Sequence, residues 1–294
     1  LDDLAALDDL AVRAVAVRDV GRRRPCPLPP VVTDDALAVV EDEAVEVVVE
    51  VMGPVAPSLA AVERALDLGK PVVTANKALL ARHGPALRAR AAATGIPLLF
   101  EAAVGGGVPV VRLVQALAAG DAITRIEGVL NGTVTYVLGR IEQGDDMAEA
   151  VAAAQAAGYA EADPSADLSG ADAADKLAVL SQLAFGAPVT RADVDVFGIE
   201  WLDGADVARA RADGKRWRLV AVANRGGCCR VEPVLLAEAD PLARLTGAEN
   251  AVAVTTEHTG TVVVTGPGAG GAATATAVVA DVAAAAEWAR RLRR

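Results

Sequence analysis

The sequence predicts an α/β protein in two parts. The first is a doubly wound parallel-sheet domain, incomplete at its front. The second is an α+β domain with a mixed or antiparallel sheet. Three observations predict this. Apolar, β-branched runs at 12–17, 46–52, 71–75 and 97–104 lack polar alternation and are separated by stretches of helical spacing. That is the pattern of parallel strands covered on both faces. Three glycines at 105–107 then interrupt it. Beyond them, residues 123–130 alternate enough for a half-exposed strand, and later strands follow one another at hairpin-like spacing. A chain of 294 residues accommodates one large domain or two ordinary ones.

The elements follow in order. VRAVAV (12–17) reads as a buried strand ending at Arg18-Asp19, and GRRRPCPLPP (21–30) as a Pro-rich connection. EVVVEVM (46–52) is a second strand, stopped by Gly53-Pro54. Between Pro57 and Gly69, Leu59, Val62, Ala65 and Leu66 share one helical face, and Gly69 ends it. PVVTA (71–75) is the third strand, 77–94 a helix closed by Gly95, and PLLFEAAV (97–104) the fourth strand. Helices are expected at 108–120, 132–143, 147–157 and 170–185. Strands are expected near 216–223, 229–236, 251–257 and 261–265, and an Ala-rich helix at 271–292 closes the chain.

Composition narrows the function classes. Lys+Arg number 28 against 39 Asp+Glu, a formal charge of -11. An acidic surface argues against a nucleic-acid partner, which needs a basic face for its phosphates. Hydrophobic residues make up 53% but aromatics only 3%, so the core is built from many small side chains and disorder is not expected. Cys26, Cys228 and Cys229 form no disulfide framework, which points to a reducing compartment. With no signal peptide and no long uninterrupted apolar run, a cytoplasmic protein away from membranes is expected. Only four cations are lysine: Lys70, Lys77, Lys176 and Lys215. In a chain that writes its other positive charges as arginine, a lysine either marks a place where a compact, titratable ammonium matters or survives by chance; Lys70, in a surface turn, and Lys215, before a strand, read as ordinary.

Four segments carry chemistry. In T74-A-N76-K77, Asn76 suits the N-cap of a helix, and Lys77 follows a parallel strand's carboxyl end, the edge where open α/β sheets bind ligands. G158-Y-A-E161-A-D163-P-S-A-D167-L-S169-G-A-D172-A-A-D175-K176 packs five carboxylates and a lysine into a short span. It is not a calcium loop, because Leu168 stands where the glycine should be and Ala174 where the glutamate should be. Ser169 and Asp172 have capping-box spacing. Asp172 and Lys176 are i and i+4, either a surface ion pair or a proton donor held beside a carboxylate. E101-A-A-V-G-G-G-V-P109 is a Gly hinge or an oxygen-ligand cation site. Asn131-Gly132-Thr133 is a turn and cap or a donor set for a ligand carboxylate. The literal G-x-G-x-x-G at Gly266–Gly271 lies too near the end of the sequence for a βαβ unit, so it reads as a tight strand-to-helix turn or a pocket-lining loop. Neither His83 nor His258 has a second ligand or a nucleophile nearby in sequence, and both read as surface or structural residues.

Together, TANKALLA (74–81), EAAVGGGVPVV (101–111), GVLNGTVTYVL (128–138), GYAEADPSADLSGADAADKLAVL (158–180) and GPGAGGAATATAVVAD (266–281) resemble the homoserine dehydrogenase family over nearly the whole chain. The resemblance implies a Rossmann-type domain over 1–105, completed by 266–294, and a catalytic and dimerisation domain over 106–265. It implies NAD(P)-dependent interconversion of L-aspartate 4-semialdehyde and L-homoserine, in threonine and methionine biosynthesis, by a homodimer. It assigns Lys176, Lys77 and Asp172 to catalysis, with Lys176 as proton donor. Glu161, Asp167 and Thr133 go to the substrate, and Lys77, Gly53, Gly270 and Thr274 to the cofactor. Glu101, with the carbonyls of Val104, Gly106 and Val108, would hold a cation, sodium in the family. Arg18 and Arg22–Arg24 follow a strand where a 2′-phosphate would sit, which favours NADP over NAD. The family opens with a strand, G-x-G-x-x-G and a helix, whereas this chain begins where that helix should be ending. Weak NAD(P) binding by the chain as it stands is therefore expected, with a non-catalytic remnant as the alternative. No appended regulatory module is expected after residue 294.

Overall fold

The computed structural model describes residues 10–292. The helix expected to be ending at the start of the chain falls outside them. The chain forms two compact units, one running to Ala103 and resuming at Thr274, the other spanning Val104–Ala273.

In the first unit, β1 (Ala14–Ala16) pairs in parallel with β2 (Val31–Thr33), and α1 (Ala36–Glu41) follows. A parallel sheet of order β3-β4-β5 is built from Val48–Glu50, Val72–Thr74 and Leu98–Leu99. The crossovers are α2 (Val55–Asp67) and α3 (Lys77–Thr94). Successive side chains of a strand point to opposite faces. Val48, Val72 and Leu98 accordingly pack with Ala61, Val62, Leu66 and Leu87 of α2 and α3. Val47, Val73 and Leu99 pack on the other side with Val278, Val282 and Ala285 of the last helix, α10 (Gly271–Leu292). Both faces are covered, which is why these strands read as unbroken apolar runs.

Two differences from expectation stand out here. Residues 31–41 form β2 and α1, which sequence reading left unassigned. Asp35 caps α1 by accepting the N–H groups of Leu37 and Ala38 at 2.9 and 3.0 Å. The strand expected over 97–104 stops at Leu99, and Glu101–Ala103 is a 3₁₀ turn. The Glu101 N–H donates to the Asp281 carboxylate at 2.8 Å, and Ala103 N–H to the Phe100 carbonyl at 3.0 Å, so neither continues a ladder.

The second unit is a six-stranded sheet of order β11-β10-β6-β8-β9-β7. Its strands are β6 (Ile123–Val129), β7 (Val194–Val196), β8 (Lys215–Asn224), β9 (Cys229–Ala237), β10 (Glu249–Thr256) and β11 (Thr261–Pro267). All neighbours are antiparallel except β7 and β9, so the sheet is mixed. Its helices are α4 (Val110–Gly120), α5 (Gly132–Ile141), α6 (Met147–Ala156), the short α7 (Ser165–Leu168), α8 (Ala171–Phe185) and α9 (Gly204–Ala212). β7, α7 and α9 were not foreseen. α8 is the unit's buried spine, with Ala174, Leu177, Ala178 and Leu180 fully enclosed. Gly170, at φ 81, caps it in place of the expected Ser169, which instead ends α7. Among the described residues no helix is long and apolar enough to cross a membrane.

One surface clamp gives a pH prediction. The Asp121 carboxylate, at the end of α4, accepts the N–H groups of His258 and Thr259 at 3.1 and 2.8 Å and meets His258 Nδ1 at 2.9 Å. It thereby ties down the β10–β11 turn. The pair holds Asp121 far below the usual carboxylate range and raises His258 above its ordinary value, through the bond to Asp121 first and the nearby Glu257 charge last. A raised histidine stabilises most below its unfolded value of about 6.5 and loses that effect as pH climbs through its folded value. His258→Asn is therefore expected to lower Tm slightly at pH 6 and not at pH 9. An equal loss at both would show that the charged pair contributes nothing.

Candidate active site

In the second unit, β6 ends at Val129 and Asn131 caps α5, its Oδ1 accepting the Val134 N–H at 2.8 Å. The carbonyl of Leu130 is thus left at the junction with no ladder partner of its own strand. Lys176 Nζ donates to it at 2.7 Å and to Asp172 Oδ2 at 2.8 Å. The spacing of four residues brings Asp172 and Lys176 together on α8, and each side chain is only 12% exposed. The pair is therefore not an ordinary solvated surface bridge. The Asn131 amide donates to Asp172 Oδ2 at 2.9 Å and to Asp167 Oδ1 at 2.7 Å, linking α5, α7 and α8. An ammonium carries three N–H donors. Two hold Lys176 in place, and the third remains for a ligand oxygen. Such a group can stabilise an oxyanion and then donate its proton.

Other expected substrate residues sit differently. Thr133, at the start of α5, gives its hydroxyl hydrogen to the Tyr159 carbonyl at 2.6 Å. Its oxygen retains acceptor capacity. Tyr159 packs against Tyr136 with ring centroids 4.9 Å apart and the ring planes tilted by 47°. Glu161 is exposed, and its loop is held by the Gln155 amide, which donates to the carbonyls of Glu161 and Ala162 at 3.1 and 3.2 Å. Asp163 is bound into a local turn with Ser165, whose hydroxyl and N–H lower its pKa.

In the first unit a buried polar network organises the carboxyl edge of the parallel strands. Glu50, 2% exposed, accepts from the Ser58 hydroxyl at 2.8 Å, the Thr74 hydroxyl at 2.6 Å and the Met52 N–H at 2.7 Å. Asn76 caps α3 through the Leu79 N–H at 3.0 Å and donates to the Gly53 carbonyl at 3.1 Å. These bonds fix the loop after β3, where Gly53 is exposed at φ 90, and the first turn of α3, which begins with Lys77. An exposed, left-handed glycine at this edge gives a ligand backbone access without a side chain in the way, so the residues suit a nucleotide cofactor. Beyond β1, Asp19 organises the arginine turn by accepting from the N–H groups of Gly21 and Arg22. Arg24 spends its guanidinium on the carbonyls of Asp19 and Arg22, leaving Arg22 and Arg23 exposed.

Glu101 lies in the 3₁₀ turn of the first unit, 2% exposed. In the second unit Val104, Gly106 and Val108 are buried, and Gly105 and Gly106 take φ 80 and 61. The Gly turns therefore need left-handed backbone whatever else they hold. No cluster of three or more His, Cys, Asp or Glu suited to a metal occurs among the described residues. Gly270, at φ 122, is exposed just before α10, and Thr274 is partly buried in its first turn. The Gly266–Gly271 sequence joins β11, an antiparallel strand, to α10, so it is the strand-to-helix turn expected and no part of a βαβ unit.

Sequence reading missed Glu50, Ser58 and Asn250. Asn250 is 2% exposed on β10, and its amide donates to the same Leu130 carbonyl at 3.1 Å. The available signal was an asparagine inside a strand, where that residue is depleted.

Comparison with known proteins agrees with the geometry. The family model for homoserine dehydrogenase matches residues 109–283, and that for the homoserine dehydrogenase NAD-binding domain matches residues 2–101. A homoserine dehydrogenase from Synechocystis is 43% identical over 285 residues, 94% of this chain and 66% of the relative. An NAD(+)-dependent homoserine dehydrogenase from Pseudomonas canavaninivorans is 42% identical over 260 residues, 85% of this chain and 74% of its own. The crystal structure of a homoserine dehydrogenase from Thiobacillus denitrificans superposes with a TM-score of 0.85 at 37% identity, covering 92% of this chain and 63% of that one. This chain thus spans about two thirds of the length of such relatives. Sequence and fold agree across both units: the chain belongs to the homoserine dehydrogenase family.

Proposed function

We propose that this protein interconverts L-aspartate 4-semialdehyde and L-homoserine with NAD(P). The observation that carries the reading is Lys176, a shielded ammonium held by Asp172 and the Leu130 carbonyl with one N–H to spare. A bound nicotinamide would supply or accept the hydride. Lys176 stabilises the alkoxide that forms on the former aldehyde oxygen and gives it a proton; in the reverse direction it takes that proton back. Asp172 orients Lys176. Asp167 and Glu161 suit the substrate's ammonium group, and Thr133 suits a polar end of the same molecule. Lys77, Gly53, Gly270 and Thr274 are assigned to the cofactor, and Lys77 also to catalysis, on the family resemblance. NADP is favoured over NAD by the exposed Arg22 and Arg23 beyond β1.

Homodimer assembly through the sheet of the second unit, a structural sodium ion and a cytoplasmic location belong to the same reading. Light scattering and replacement of sodium by choline test the first two. For the reaction, purified protein is mixed with L-homoserine and either NADP or NAD, and absorbance at the reduced nicotinamide band is followed. Homoserine-dependent reduction, faster with NADP, is expected at nucleotide concentrations high enough to offset the weak binding expected of this chain. A folded protein that binds neither nucleotide would instead be the non-catalytic remnant.

A further inference from the structure

We infer that Asn250 is a positioning residue for Lys176, acting through the carbonyl of Leu130, and that Gly268 belongs to the same device. The inference rests on the reading of Lys176 as the proton donor.

Strand register brings the two segments together. Val129 lies opposite Ala251 in the antiparallel β6–β10 pair, so Asn250 sits beside Leu130 just where β6 gives way to α5. The Leu130 carbonyl receives two donors, Lys176 Nζ at 2.7 Å and Asn250 Nδ2 at 3.1 Å. A carbonyl oxygen has two lone pairs, and both are engaged. The amide therefore pins the oxygen on which the ammonium rests. It also takes up the second lone pair of that oxygen, so the ammonium shares its acceptor with a neutral donor. The charged groups around Lys176 include Asp172 on its own helix and, through the Asn131 amide, Asp167 from α7. Asn250 brings a neutral donor to that set from the β10 side.

Two further observations set Asn250 apart from ordinary packing. Its Oδ1 is buried with no hydrogen-bond partner, a cost to folding that an apolar residue at this position would avoid. And Gly268 is shaped around its amide. A Cβ on Gly268 would stand 2.1, 2.2 and 2.3 Å from Cγ, Nδ2 and Oδ1 of Asn250. Gly268 is not among the glycines with left-handed backbone, so conformation does not demand glycine there. What demands it is room for the Asn250 side chain.

The test uses Asn250→Asp, Asn250→Ala, Gly268→Ala and the double variant. The chain has four lysines, so labelling lysine with ¹³C at Cε gives four signals whose titrations are followed one by one, with Lys176→Arg identifying the one of interest. Placing a carboxylate against the shared carbonyl is expected to move the Lys176 titration to higher pH by about half a unit or more, and the alkaline limb of semialdehyde reduction with it. Asn250→Ala and Gly268→Ala are each expected to lower kcat about three- to tenfold with little change in KM. The double variant is expected to match Asn250→Ala alone, because Gly268 acts only through that amide. A Lys176 titration identical to wild type in folded Asn250→Asp overturns the linkage. Should that variant not fold, a Gly268→Ala enzyme with unaltered kcat overturns it equally. Absence of homoserine-dependent turnover in the wild-type protein would instead overturn the dehydrogenase reading, and the lysine titration would still decide the linkage.

Discussion

Replacing Lys176 by alanine is expected to lower homoserine-dependent turnover by about 10²- to 10⁴-fold, the usual contribution of a positioned proton donor. Replacing it by arginine is expected to do the same, and that variant is the sharper test. A guanidinium keeps the positive charge and can still pair with Asp172. It cannot give up its proton near neutral pH, and its planar fork does not match a site built from one carbonyl and one carboxylate oxygen. If Lys176 only supplied charge for binding, Lys176→Arg would keep kcat and alter KM. If it is the acid, kcat falls and KM stays near wild type. Both variants should fold, because Asp172 keeps the Asn131 amide as a partner. Circular dichroism and thermal melting check this, and a Lys176→Arg enzyme with near-native kcat would refute the assignment.

The largest stability effect is expected at Glu142, well outside the catalytic residues. Arg218 is 1% exposed, and burial pushes its guanidinium below its ordinary range, against the pull of Glu142. It donates to Glu142 Oε1 at 2.9 Å and to the carbonyls of Trp217, Ala243 and Leu245 at 2.7, 2.8 and 3.2 Å. Glu142, 5% exposed at the end of α5, also meets Arg216 at 3.1 Å and Arg211 at 3.5 Å. One carboxylate thus ties α5 to β8 and α9. Removing it leaves a buried cation unpaired. Glu142→Ala is expected to cost about 3–5 kcal/mol, read as a lower urea midpoint. Glu142→Leu combined with Arg218→Met removes both charges and should cost less than Glu142→Ala alone. If the single variant unfolds within about 1 kcal/mol of wild type, the pair carries no such weight. In the folded fraction kcat should be unaltered, since Lys176 bonds to Leu130 and Asp172 and to none of these groups.

The reach of the sequence followed the range of the forces involved. Lys176 and Asp172 were legible as a pair because one helical turn brings them together, and the helix itself was legible from apolar spacing. Asn76 and Asn131 were legible as caps for the same local reason. Ser169 was misread because capping depends on backbone angles. Its spacing to Asp172 was right, but Gly170 turns the chain at φ 81 and takes the cap position. The strand at 97–104 was cut short by a carboxylate 180 positions away in sequence, Asp281, which takes the Glu101 N–H. No pattern within the segment records such a competitor.

By itself the sequence determined the two-part α/β architecture, the placement of most elements, the lysine–aspartate pair and, through its motifs, the family. Those depend on periodicity and on neighbours within one turn or one strand end. Only the tertiary structure decided that Leu130 offers its carbonyl to Lys176, that Asn250 shares that carbonyl from 120 positions away, and that Glu50 rather than a surface charge organises the edge carrying Lys77. The reason is physical. Backbone carbonyls are alike in every residue, and which of them is left to bind an ammonium is settled by where strands end and how sheets register.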